Sequence, residues 1–135
     1  TAKNELAIAK ALALVNQTTS VGEYQFIVER LDGVDGSALH NASLTLVNQL
    51  GDHSAIILGG IPDPLIQDKV IFVAAFGSNV VSSGLNAGKF VGEIAKRCGG
   101  GGGGRPDFAQ AGGKDSKELD SSLEIARADL LNSLS

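Results

Sequence analysis

The chain has 135 residues, 43% hydrophobic and 19% charged, with a formal net charge of −4. That length carries one domain with a real core, and the composition is that of a soluble globular protein. No apolar run reaches the roughly 18 residues of a membrane span, and the one cysteine, Cys98, excludes a disulfide framework within the chain.

A lone thiol suits a reducing compartment, so the expected location is the cytoplasm, or the stroma or matrix of an organelle. The chain opens at Thr1 and contains no Met, so it is expected to be a piece, or a processed form, of a longer protein. The charge is unevenly spread. Between Asn86 and Lys114, five cations (Lys89, Lys96, Arg97, Arg105 and Lys114) face two carboxylates, a net +3, whereas the remainder carries −7. For a polyanionic partner this local excess outweighs the sum.

In chain order, residues 3–17 are rich in Ala and Leu and lack Gly and Pro, which predicts a helix by propensity. Residues 1–20 are therefore read as the end of a linker or coiled-coil helix, ahead of a globular domain over 21–135. Residues 18–23 break the pattern. Residues 24–28 (Tyr-Gln-Phe-Ile-Val) are a β-branched and aromatic strand. A helix is predicted near residues 37–50, with Leu39, Ala42, Leu46 and Leu50 near helical spacing and Gly51 as its C-cap. The apolar runs at 55–58 and 70–76 read as central strands covered on both faces. Their short link holds Pro62 and Pro64 and is not helical, so they are expected to pair antiparallel.

Asn86 can cap a helix running to Cys98. Its apolar face would be Ala87, Phe90, Val91, Ile94, Ala95 and Cys98, and its polar face Lys89, Glu93, Lys96 and Arg97. Residues 99–113 read as a glycine-rich loop. Asp115 and Glu118 resemble a capping box for a last helix with Leu119, Leu123, Ala126, Leu130 and Leu134 on one stripe. The predicted fold class is α/β, of the α+β kind: a mixed sheet with flanking helices, preceded by the N-terminal helix.

Eight of the 18 glycines lie between 99 and 113. Glycine is entropically costly to order, so six in a row suit a place where bare backbone approaches a ligand and successive amides form an anion-binding concavity. Arg105 would add a forked cation. A floppy linker is the plain alternative, but a Pro, a Phe and a second Gly pair are not linker composition. The segment is no P-loop, since Gly113-Lys114 is followed by Asp115. Nor is it a dinucleotide fingerprint, because the glycines follow a predicted helix rather than a strand.

From Gly101 to Asp115 the chain reads Gly-Gly-Gly-Gly-Arg-Pro-Asp-Phe-Ala-Gln-Ala-Gly-Gly-Lys-Asp. This resembles the C-terminal signature of alanyl-tRNA synthetases, a DHH-associated domain that also accompanies DHH-type phosphoesterases. The order of elements over 24–135 is similar as well. The resemblance implies a tRNA-binding module that holds the outer corner of tRNA(Ala). The parent's aminoacylation and editing domains, in the same chain, would use ATP, Mg and Zn. The fragment itself would carry no catalytic residue, metal or cofactor, and no membrane contact. Many members have a lysine within the glycine run where this chain has Gly101.

The binding candidates are Gly99, Gly100, Gly101, Gly102, Gly103, Gly104, Arg105, Gln110, Lys114, Lys89, Lys96 and Arg97. Each has a structural alternative. The three α-helical cations can be a solvated face stitched by Glu93, Arg105 can bridge loop carbonyls, and Gln110 can close the loop. His40 and His53 lack ligand neighbours, and Cys98 reads as a packed thiol. Two other readings are the nucleic-acid-binding domain of a DHH-type phosphoesterase and an oligomerisation module. The latter would be a homodimer through the N-terminal helix. With one Tyr, no Trp and five Phe, recognition of RNA shape and backbone fits better than base stacking.

Overall fold

The structure, a computed structural model, describes residues 18–63, 65 and 68–134, together with 9, 10 and 13. The helix expected over 3–17 lies outside these residues apart from those three positions.

The first strand, β1 (Thr19–Val21), was not visible in the sequence pattern. A tight turn at Gly22, where φ is +60, folds it back so that Thr19 pairs with Phe26 of β2 (Tyr24–Arg30). Helix α1 (Gly36–Leu50) follows, and its first amides are met by the Asp35 carboxylate, which accepts from Ala38 N at 2.8 Å. Gly51, at φ +97, closes its far end. Strand β3 (Ser54–Gly60) then runs parallel to β2, and β4 (Val70–Phe76) runs antiparallel to β3. The parallel pair brackets α1 as a β-α-β unit, and the short proline link forces the antiparallel turn-back.

A five-residue helix, α2 (Ser78–Ser82), and α3 (Ala87–Arg97) come next. The Asn86 side chain caps α3 by accepting from Lys89 N at 3.1 Å. Residues 99–113, expected to be an irregular loop, form an antiparallel hairpin instead: β5 (Gly101–Gly104) and β6 (Phe108–Gly113). Strand β6 pairs with β4 and β5 forms the sheet edge, giving the order β1-β2-β3-β4-β6-β5. Glycine's low strand propensity is overridden here by pairing with β6 and packing under α3.

The expected capping box is not formed. Asp115 accepts from Lys117 N in a single 3₁₀ turn, Ser116–Glu118, while the Glu118 carboxylate accepts from Ser121 Oγ. Helix α4 (Leu119–Leu134) then buries the predicted stripe Leu119, Leu123, Ala126, Leu130 and Leu134.

Strand alternation divides the core in two. Phe26, Val28, Ala55, Ile57, Phe72 and Ala74 face α3 and α4. Ile27, Ile56, Leu58, Val73 and Ala75 face α1. The result is the predicted mixed sheet with helices on both faces.

Candidate nucleic-acid interface

The hairpin register decides what each glycine can do. Arg105 N donates to Phe108 O at 2.9 Å, which sets the hydrogen-bonding phase of the hairpin. Antiparallel alternation then makes Gly103↔Gln110 and Gly101↔Gly112 bonded pairs, while Gly102↔Ala111 and Gly104↔Ala109 turn their amides away from β6. Gly99 N and Gly100 N donate to the Lys96 and Ala95 carbonyls at the end of α3. The outward edge at Gly102 and Gly104 lies against Gly92 and Gly88 of α3. A Cβ at Gly92 would sit 3.1 Å from Gly102 O, and one at Gly88 would sit 2.8 Å from Gly104 O.

Close helix-on-strand packing therefore accounts for much of the glycine run. The succession of free amides expected from the sequence is partly spent within the fold, at Gly99, Gly100, Gly101 and Gly103, while Gly102 and Gly104 turn theirs to the exposed edge. The whole of β5 is exposed, and its α1 side is the less crowded. Gly101 and Gly103 share the α1 side of the sheet with their partners Gln110 and Gly112. A Cβ at Gly101 would meet nothing within 4 Å.

On that side lies a groove of about 740 Å³, lined by Gly36, Lys69, Val70, Ile71, Gly100, Gly101, Gln110, Ala111, Gly112, Gly113 and Lys114. Gln110 lies across the first turn of α1, where a Cβ at Gly36 would come within 2.9 Å of its Nε2. Lys69 was not singled out in the sequence. It stands one residue before β4, and Lys114 stands one residue after β6. Since Val70 pairs with Gly113, the two lysines flank the next rung of the same ladder. Only the register reveals that neighbourhood, since 45 positions separate them in the chain.

Lys96 and Arg97 are exposed in the last turn of α3. They reach the same end of the sheet from the opposite face, because Cys98 O accepts the amides of Lys114 and Asp115. Placement at a helix C-terminus also favours these cations electrostatically. Lys89 is further along α3 and lines a shallow hollow with Glu93, Lys96 and Gly102.

Arg105 is separated from the others. It sits at the hairpin tip, at the far end of β5, with its Nε 3.3 Å from Asp107 Oδ1 in an exposed ion pair. The sequence grouped Arg105 with Lys114, and the hairpin holds them at opposite ends.

Cys98 and the two histidines behave as packing residues. Cys98 is buried with Sγ 3.6 Å from Ser122 Oγ, and burial pushes its thiol pKa up. The His40 ring packs on Phe108 at 4.2 Å, and His53 meets the Asn79 amide at 2.7 Å. Among the described residues no group of three or more His, Cys, Asp or Glu could hold a metal ion. None of their helices is long and apolar enough to cross a membrane.

The DHHA1 domain model matches residues 23–131, and the chain belongs to that family. More particularly, it is similar to alanine–tRNA ligases. It is 59% identical over 133 residues to the enzyme of Prochlorococcus marinus (strain MIT 9303) and 57% identical to that of Synechococcus sp. (strain CC9311). Each match takes in 98% of this chain but 15% of the relative, so the chain spans a small part of the relatives' length. Among solved structures, the C-Ala domain of Aquifex aeolicus alanyl-tRNA synthetase has the same fold. The TM-score is 0.71 at 24% identity, covering 87% of this chain and 97% of that one. A DHH-domain member of the s1p family of ribosomal proteins shares the fold at TM-score 0.58 and 17% identity, covering 94% of this chain and 31% of that one. The resemblance read from residues 101–115 is borne out.

Proposed function

We propose that this chain is the C-terminal tRNA-binding module of an alanine–tRNA ligase. It grips the outer corner of tRNA(Ala) while aminoacylation and editing proceed on other domains of the parent, and it performs no catalysis itself. Similarity to these ligases over nearly the whole chain supports the setting. The observation that carries the binding role is the convergence of cations from three separated segments. Lys69 and Lys114 line one groove, and Lys96 and Arg97 end the helix whose following Cys98 carbonyl accepts the Lys114 amide, in a protein of net charge −4. Such a cluster costs self-repulsion, and a polyanion offsets it.

A fluorescence-anisotropy titration of the chain with a tRNA(Ala) transcript tests this. Binding is expected, and the K96A/R97A double variant should weaken it about tenfold through two lost phosphate contacts. No binding at low salt, or an unchanged affinity in a folded double variant, would overturn the assignment. The phosphoesterase-associated reading rests on shared fold alone, and release of nucleotides from a short RNA by the chain would favour it. The oligomerisation reading rests on residues 1–20, most of which lie outside the described residues.

A further inference from the structure

We propose that Lys69 and Lys114 form a phosphate clamp, seating one RNA backbone phosphate in the groove on the α1 side of the hairpin. This rests on the tRNA-binding reading and adds to it a residue, Lys69, and a ligand group. The groove lining contains two lysines, the Gln110 amide and exposed glycine backbone over an apolar floor, and no carboxylate. Four other hollows beside the candidate cations each include one. Glu93 lines those of Lys89, Lys96 and Arg97, and Asp52 and Asp107 line that of Arg105. A cationic cavity free of carboxylates, in an acidic protein, selects an anion without an internal competitor.

The chain's own acids near the clamp are engaged or kept out of it. Asp35 caps α1 and Asp115 caps the turn after β6. Asp68 precedes Lys69 but does not line the groove. Gln110, lying beside the start of α1, offers an amide donor to the same anion. The groove is open rather than enclosed, which suits a backbone phosphate passing through it better than a free mononucleotide. Recognition through phosphate reads no base, so the contribution should be the same on any sequence that presents the same RNA shape.

The test is tRNA affinity of the 135-residue chain and its K69A, K114A and K117A variants, each checked for folding by circular dichroism. Lys117 is exposed and outside the groove, so K117A removes the same charge without touching the site. The clamp predicts that K69A and K114A each weaken tRNA binding about three- to tenfold and lower the log-affinity slope against log salt by about 1, with K117A unchanged. K69Q should behave as K69A. Inorganic phosphate added at constant ionic strength should compete only weakly. Equal effects from all three alanine variants would mean that net charge alone is sensed, which overturns the clamp. Unaltered binding by K69A, with the unsubstituted chain still binding tRNA, would overturn the clamp and leave the tRNA reading intact. Saturation by phosphate at low concentration would assign the groove to a free anion instead. Failure of the unsubstituted chain to bind tRNA would remove both.

Discussion

Gly100 and Gly101 are adjacent in the same run and have opposite tolerances. A Cβ at Gly100 would collide with the Gly112 carbonyl, while one at Gly101 points into open space. G100A should therefore cost about 1–3 kcal/mol, the range for forced overpacking. G101A should be neutral or stabilise by about 0.4–1 kcal/mol, because its backbone is not in the left-handed region and the unfolded chain loses freedom. Urea unfolding of the two variants decides this, and equal costs would contradict the register described. The same open position lies in the clamp groove. G101K should thus raise tRNA affinity several-fold without loss of stability.

At the scale of elements, one polar knot ties the β2–α1 connection to α4 and to the end of β3. Arg30 Nε pairs with Asp32 at 2.9 Å and Arg30 Nη1 with Asp120 at 3.1 Å, while Asp32 Oδ1 accepts from Ile61 N at 3.0 Å. Burial works against the Asp32 charge, but the Arg30 guanidinium and the Ile61 amide outweigh it and hold the carboxyl below its ordinary range. A depressed folded-state pKa stabilises above the unfolded value of about 4, and that stability disappears as pH falls through the folded value. The unsubstituted chain should be more stable than D32N at neutral pH, with the gap closing below about pH 4. Urea midpoints at the two pH values measure it, and a gap independent of pH would show that the carboxylate charge contributes nothing.

For the whole molecule, the tRNA-binding reading sets one cation-bearing end of an acidic chain against a polyanion. About four cations there (Lys69, Lys96, Arg97 and Lys114) should give a log-affinity slope against log salt of about −3 to −4 on RNA. A salt series on the unsubstituted chain measures this. A slope beyond about −6 would require phosphate contacts elsewhere, the hairpin-tip Arg105 among them. The three-layer build also explains why the hairpin is a firm platform. Strand β6 is stitched to β4, and α3 lies on both β5 and β6 through Ala87, Val91 and Ala95.

Local pattern determined the elements whose signals are local. The Asn86 cap, the Gly51 stop, the apolar runs of β3 and β4, and the α4 stripe were all legible, because capping and periodicity depend on neighbours within a turn or two. The signature over 101–115 placed the family for the same reason. Strand β1 and helix α2 were too short to leave a period, and the glycine run became a strand only because α3 and β6 accept it. Two facts needed the tertiary structure. Lys69 and Lys114 became neighbours, and Arg105 was carried away from them, since both depend on which residues face each other across β4, β6 and β5. Register is a long-range choice made by two faces of the sheet burying their side chains at once, and no window along the chain contains it.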